Sequence, residues 1–331
     1  MRVLIVHDRV DDASPVDVAD ALVQARLISE HLRGQGHDVR TLGATLDLGA
    51  MTDELASCDL VVNLVESLDG QGSLIHLVPA VIEAAGRPMT GCPWRAVAGT
   101  SDKLAAKRAM RANDIATPDW IEAGDDAPTA GRWIVKSVWE HASIGIGQHS
   151  VVDAASRDVA ERMESMRDSL GGEALAERFI DGREFNISML EIDGAPVVLP
   201  PAEIRFVGYD DGRPKIVDYA AKWDESSHAY HNTPRVFEFA ERDASLLARL
   251  RSICMRCWDV FGLRGYARVD FRVDEVATPW VLEVNSNPCL SPDAGFMAAA
   301  ERHGLSCAAV IDHLVAAALA TPRGAPASRA R

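Results

Sequence analysis

Near the carboxy-terminal end of the chain, VLEVNSNPCLS (281–291) sets Glu283, Asn285 and Asn287 at alternate positions in an apolar run. A β-strand has a side-chain period of two. An extended chain here turns these three oxygen-bearing groups to one face and Leu282 and Val284 to the other. Just upstream, YARVDFRV (266–273) repeats the alternation with Arg268 and Asp270, and DEVATP (274–279) is short enough for a hairpin loop. Pairing symmetric about that loop places Asp270 opposite Glu283 and Arg268 opposite Asn285. Opposed residues have Cβ atoms about 4.5–5.5 Å apart, so two carboxylates repel unless something positive lies between them. Magnesium, which takes oxygen ligands from one or two carboxylates and from substrate phosphates, answers that demand. A solvated polar face is the other reading of the same spacing.

Phosphate-binding parts stand elsewhere in the chain. Lys136 closes the apolar strand WIVK, and the small-residue loop HASIGIG (141–147) follows it. Such a loop lets backbone N–H groups approach phosphate oxygens, while the lysine adds a point charge. The loop is not a Walker A sequence, and no G-x-G-x-x-G follows the first strand. Alone, the Gly-Ile-Gly run reads equally well as a flexible turn.

The elements that must hold these groups are α/β in pattern. RVLIVH, HDVRTL and CDLVVNLV read as strands separated by helices, which implies a parallel sheet up to about residue 92. Ser14 and Pro15 are expected to open the first of those helices. Ligands sit beyond the carboxyl ends of such strands, so ESLDGQGS is a candidate site wall. A second unit, 93–176, holds the helix SDKLAAKRAMRAND with Ser101 as its expected cap, the strand RWIVKSV and the glycine loop. A third, 177–320, carries the hairpin, and the Pro/Ala/Arg-rich residues 321–331 read as a disordered tail.

Net charge is −15, from 34 basic and 49 acidic side chains. That argues against a nucleic-acid partner or an anionic membrane, for want of a basic face. No apolar run reaches the length of a membrane span and the start lacks a signal-peptide pattern, so the cytoplasm is the expected location. Among the six cysteines, Cys254 and Cys257 form the one close pair. They sit in a helical stretch with no second pair beside them and read as packing residues.

Taken together, TSDKLAAKRAM, WIVKS with HASIGIG, AERFIDGREFNIS, DYAAKW, GYARVDF and LEVNSNPCLS resemble the ATP-grasp superfamily, and within it the D-alanine–D-alanine ligase branch. The likeness runs from about residue 58 to 320. It implies a three-domain ATP-grasp fold with ATP between the central and C-terminal domains. By the same resemblance Lys103 and Lys136 contact the phosphates, Glu177, Phe179 and Ile180 line the adenine pocket, and Glu184 takes the ribose hydroxyls. Asp270, Glu283 and Asn285 hold two magnesium ions, for which manganese could substitute. Lys222 reaches the transferred phosphate, Arg268 steadies the tetrahedral intermediate, and Ser143 keeps its place in the glycine loop. Dimers are common in the family, so a homodimer is allowed, although no interface is legible in the sequence.

Departures from the family pattern gather on the amino-acid side. The family's histidine in the first-domain loop falls on Val65, with Glu66 beside it. Its N-terminal glutamate has only Asp17 and Asp20 as nearby candidates. Cys289 replaces a glycine, Ala294 a serine and Trp223 a tyrosine. The resemblance therefore implies an ATP-dependent carboxylate–amine ligase working through an acyl-phosphate on small-molecule acid and amine substrates other than two D-alanines. The alternatives are D-alanine–D-alanine ligation itself and a non-catalytic nucleotide-binding module.

Overall fold

The computed structural model describes residues 1–140, 143–155, 159–210 and 212–320. The expected tail, 321–331, lies outside them, as do His141 and Ala142 of the glycine loop.

Strands β1 (Arg2–Asp8), β2 (Asp38–Ala44) and β3 (Leu60–Asn63) form a parallel sheet in the order β2-β1-β3. Helix α1 (Val16–Gly34) crosses from β1 to β2, and α2 (Leu48–Ala56) leads into β3. Alternate faces of β1 bury Val3 and Ile5 on one side, and Leu4 and Val6 on the other. Such burial on both faces is what a parallel sheet requires. Ser14 does not cap α1. Pro15 holds that position, and the Ser14 hydroxyl closes a turn on Asp11 instead. Helix α3 (Leu77–Ala84) precedes α4 (Trp94–Ser101) and α5 (Lys103–Ala112). Asp102 caps α5 by accepting from the Leu104 and Ala105 amides, whereas Ser101 ends α4. A carboxylate at the cap accepts more strongly than a hydroxyl and also meets the helix dipole.

A second sheet has the order β4-β7-β5-β6, from β4 (Trp120–Ile121), β5 (Arg132–Ser137), β6 (Val151–Asp153) and β7 (Ala174–Arg178). Helix α6 (Val159–Met166) packs Val159, Met163 and Met166 on it. The expected boundary at residue 176 falls within β7.

The third sheet orders β11-β10-β8-β12-β13, with β9 hydrogen-bonded to β8. Its strands are β8 (Arg183–Ile192), β9 (Ala195–Val198), β10 (Ala202–Ile204), β11 (Arg235–Val236), β12 (Tyr266–Val273) and β13 (Pro279–Asn285). Two short helices, α7 (Tyr219–Trp223) and α8 (His228–His231), precede the long helix α9 (Ala244–Phe261). Phe185, Ile187, Val269, Phe271, Val281 and Val284 turn to one face and bury against Leu246, Leu250, Cys254 and Cys257 of α9. Each such side chain contributes about 1.5–3 kcal/mol on full burial. Both thiols are fully buried in this core, and burial pushes Cys257 up to about 12 and raises Cys254 well above an ordinary thiol, which agrees with packing. With the apolar set committed to α9, period two sends the polar set to the other face. Helices α10 (Gly295–Arg302) and α11 (Cys307–Ala320) close the chain and share one core with β1 and β3 through Phe296, Val310 and Leu314.

Candidate active site

Beyond a bulge the hairpin has the symmetric register, whereas nearer the loop its pairs are displaced by one residue. Asp270 pairs with Glu283 and Arg268 with Asn285, and a bulge follows Asp270. On the other side β8 sets Asn186 opposite Asp270, Glu184 opposite Arg272 and Ser188 opposite Arg268. One polar face therefore carries Glu184 and Asn186, then Arg268, Asp270 and Arg272, then Glu283 and Asn285. The positive group between the two carboxylates is Arg268. Its Nε and Nη2 donate to the two Asp270 oxygens at 2.7 and 2.8 Å, and Nη2 lies 4.0 Å from Glu283 Oε1. Asn186 Nδ2 donates to Asp270 Oδ1 at 2.8 Å. Burial opposes the Arg268 charge, but Asp270 overrides it and holds the guanidinium protonated.

Asn287 does not share that face. The strand ends at Asn285, and the Asn287 amide turns inward, accepting from the Tyr266 hydroxyl at 2.5 Å and donating to the Val65 carbonyl at 2.9 Å. It bolts the loop after β13 to the loop after β3.

Among the residues expected to hold the nucleotide, Glu177 is 2% exposed and sits between two lysines. Lys107 Nζ lies 2.8 Å from Oε2, and Lys136 pairs with Oε1. Burial works against the Glu177 charge, yet the lysines hold its carboxyl below the usual range. Lys103 is buried and donates to the Glu140 carbonyl at 2.6 Å. Burial lowers its proton affinity, with the Glu283 charge acting in the opposite sense. Glu184 pairs with Arg272 Nη2 at 2.8 Å, and its pKa is raised by burial. The Arg272 guanidinium lies 5.7 Å from the Phe179 ring and 5.4 Å from Phe206. Phe179 and Ile180 are half-buried at the end of β7. Lys222, on α7, has its proton affinity lowered by burial and by Arg268, against attraction from Glu283 and Asp270. Ser143 adopts a left-handed φ of 63° and donates to the Val217 carbonyl at 2.8 Å. Nearby Gly145 has φ +71°, and a Cβ there would come within 2.5 Å of Leu170, so that turn needs glycine.

On the opposite side, Asp8 accepts from the Glu66 and Ser67 amides and from the Ser67 hydroxyl. Asp20 accepts from the Ser291 hydroxyl at 2.6 Å and from the Cys289 thiol at 3.1 Å. Cys289 is thus a hydrogen-bond donor, and burial raises its pKa well above that of an ordinary thiol. Tyr219 donates to Asp17 at 3.0 Å. His231 bonds the Glu225 carbonyl, and His228 lies beside Tyr209.

Lys107, Asn186 and Arg272 escaped the sequence reading. Each had a signal: Lys107 lies four residues after Lys103 on one helix face, and Asn186 and Arg272 lie two residues beyond Glu184 and Asp270 on their strands.

Among the described residues, no three His, Cys, Asp or Glu side chains form a self-sufficient metal cage. Two carboxylates and an amide instead suit a magnesium ion that completes its shell with phosphate oxygens. Asp270 keeps acceptor capacity beyond the three donors it already meets. The donor set fits.

Residues 131–316 match the family described as D-ala D-ala ligase C-terminus. A D-alanine–D-alanine ligase from Acidiphilium cryptum is 30% identical over 281 residues, 82% of this chain and 84% of the relative. One from Synechococcus is 29% identical over 92% of both chains. Among solved structures, D-alanine–D-alanine ligase from Bacillus anthracis complexed with ATP superposes with a TM-score of 0.73. It covers 96% of this chain and 97% of its own, at 18% identity.

Proposed function

This chain belongs to the D-alanine–D-alanine ligase family of ATP-grasp enzymes, and from that premise we propose that it joins a carboxylate to an amine at the expense of ATP, through an acyl-phosphate. The observation that carries the reading is the register of β12 and β13. It gathers Arg268, Asp270, Glu283 and Asn285 on one sheet face, within electrostatic reach of Lys222.

In this reading Lys103 and Lys136 bind the ATP phosphates. Phe179 and Ile180 cover the base beside Glu177, and Glu184 receives the ribose hydroxyls. Asp270, Glu283 and Asn285 would hold magnesium, which when bound would neutralise charge on the terminal phosphates. A carboxylate is a poor electrophile. Its oxygen attacks the γ-phosphorus, ADP leaves, and Lys222 balances the charge on the transferred phosphoryl group. The amine then attacks the acyl carbon. Arg268 donates to the oxyanion that forms, and phosphate departs with the carbonyl restored, taking up the proton that the nitrogen sheds. Ser143 ties the glycine loop to the segment before α7, keeping it over the phosphates.

The substrates we assign are an acid and an amine other than two D-alanines. Support comes from the amino-acid side of the pattern, where Val65, Cys289, Ala294 and Trp223 stand at positions that bear other groups in the family. A hydrogen-bonding pocket that loses its polar groups changes preference sharply. ATP, magnesium and a library of acids and amines, followed by ADP release and product mass, test the proposal. ADP that appears only with one acid and one amine is the expected result. ADP formed equally without an amine contradicts ligation.

A further inference from the structure

Arg272 stands on the polar face of the third sheet but takes no part in the steps assigned above. Arginine is seldom withdrawn from water unless it is paired, and this one is 4% exposed. The register of β8 and β12 sets it directly opposite Glu184, which is also buried. Its Nη2 lies 2.8 Å from Glu184 Oε2 and donates to the Lys215 carbonyl, while Nη1 donates to the Gly182 carbonyl at 3.3 Å. The rings of Phe179 and Phe206 lie beside the guanidinium. One planar fork thus joins the carboxylate, the turn between β7 and β8, and the chain between β10 and α7. A lysine presents its donors from a single point and would not span these three acceptors.

Glu184 is not saturated by this arrangement. A carboxylate offers about four lone-pair sites, and among the described residues Arg272 is its one side-chain partner. Burial raises the Glu184 pKa, and the Arg272 charge is the largest influence in the other direction. On the same side Tyr209 meets Phe206 edge-on at 5.2 Å. Its buried hydroxyl has no partner among the described residues and lies close enough to Glu184 to feel its charge. A buried hydroxyl costs free energy until it is bonded. Spare acceptor sites beside an unpaired hydroxyl suit a ligand edge that carries more than one hydroxyl group, and a ribose presents such an edge.

We infer that Arg272 is a positioning residue for the sugar end of the nucleotide: it aims the Glu184 carboxylate at the ribose hydroxyls and pins the chain before α7 against the same end. The inference rests on the ATP-dependent reading and adds to it the residue on which ribose recognition depends. Without the guanidinium, Glu184 can rotate away or take up a proton, and either change costs a ribose hydroxyl its acceptor.

The test is calorimetric binding of ADP, 2′-deoxy-ADP and 3′-deoxy-ADP to the full chain with magnesium. The parent is expected to bind ADP about tenfold or more tightly than at least one deoxy form, the scale of one hydrogen bond to a charged group. Glu184→Gln should erase that preference. Arg272→Met should erase it too, Arg272→Lys should recover part of it, and adding Arg272→Lys to Glu184→Gln should move it no further. Should Arg272→Met fail to fold by circular dichroism, Arg272→Gln takes its place, with a loss of preference of at least about threefold. A merely structural role would weaken all the nucleotides alike, so a preference unchanged in the Arg272 variants but lost in Glu184→Gln overturns the inference alone. A preference that survives Glu184→Gln, or that the parent lacks, removes the sugar assignment of Glu184 and the inference with it.

Discussion

The two walls of the cleft carry charge in opposite ways. On the wall built by α5, β5, β7, β8 and β12, buried ions face ions of the other sign: Lys107 and Lys136 flank Glu177, Arg272 meets Glu184, and Arg268 grips Asp270. On the wall built by α1 and the loop after β3, Asp8, Asp20 and Glu66 face one another, and burial with that repulsion lifts Glu66 to about 8. The first wall is finished before a ligand arrives, so altering one residue there strands its partner. On the second the carboxylates meet neutral donors and one another, so neutralising Glu66 relieves the free protein. The same kind of substitution should thus change stability with opposite sign on the two walls.

Four substitutions can break or sharpen that contrast. The largest effect belongs to Glu283→Gln, which should cut turnover by at least about 100-fold through the loss of several kcal/mol of metal-borne stabilisation, with the fold unchanged by circular dichroism. Near-normal turnover would remove the metal assignment. Arg268→Met should lower kcat by about 10²–10³, the scale of one lost oxyanion donor, with little change in nucleotide affinity. An equal loss of nucleotide affinity would place Arg268 on the nucleotide alone. Lys107→Met should destabilise the protein by about 3 kcal/mol in urea unfolding, the lower end for breaking a buried ion pair, and weaken ATP binding by loosening Glu177. Unchanged stability would mean that the paired wall is not held by its charges.

The smallest effect has the opposite sign. The Glu66 carboxyl titrates near 8 when folded against an ordinary 4.5. Across that window the folded protein keeps a proton that the unfolded chain has lost. Stability therefore falls as pH rises from about 4.5 to 8 and levels off above it. Glu66→Gln should flatten this fall and melt higher than the parent above pH 8. A variant less stable than the parent at that pH would contradict the contrast between the walls.

How much of this was legible in the sequence follows from the range of the forces involved. The hairpin register was readable because strand period and a short loop leave little freedom, and both pairs, Asp270 with Glu283 and Arg268 with Asn285, occur as the symmetry requires. Local competition defeated nearby inferences. Asp102 outbid Ser101 for the α5 cap, and Asn287 left the strand because the chain turns after Asn285. Tertiary partnerships left the faintest trace. Lys107 meets Glu177 across 70 positions of sequence, and Cys289 finds Asp20 from the far end of the chain. The two-residue spacing on β8 and β12 gave the face that Asn186 and Arg272 occupy, but only the sheet order put β8 beside β12.

The path through an acyl-phosphate is tested most directly by following oxygen. When the acid carries ¹⁸O in its carboxyl group, one carboxyl oxygen becomes the bridge to phosphorus and leaves with phosphate when the amine attacks. Mass spectrometry should find one ¹⁸O atom in the inorganic phosphate for each amide bond formed. Unlabelled phosphate formed alongside the amide would contradict the mechanism assigned to Arg268, Lys222 and the β12–β13 hairpin.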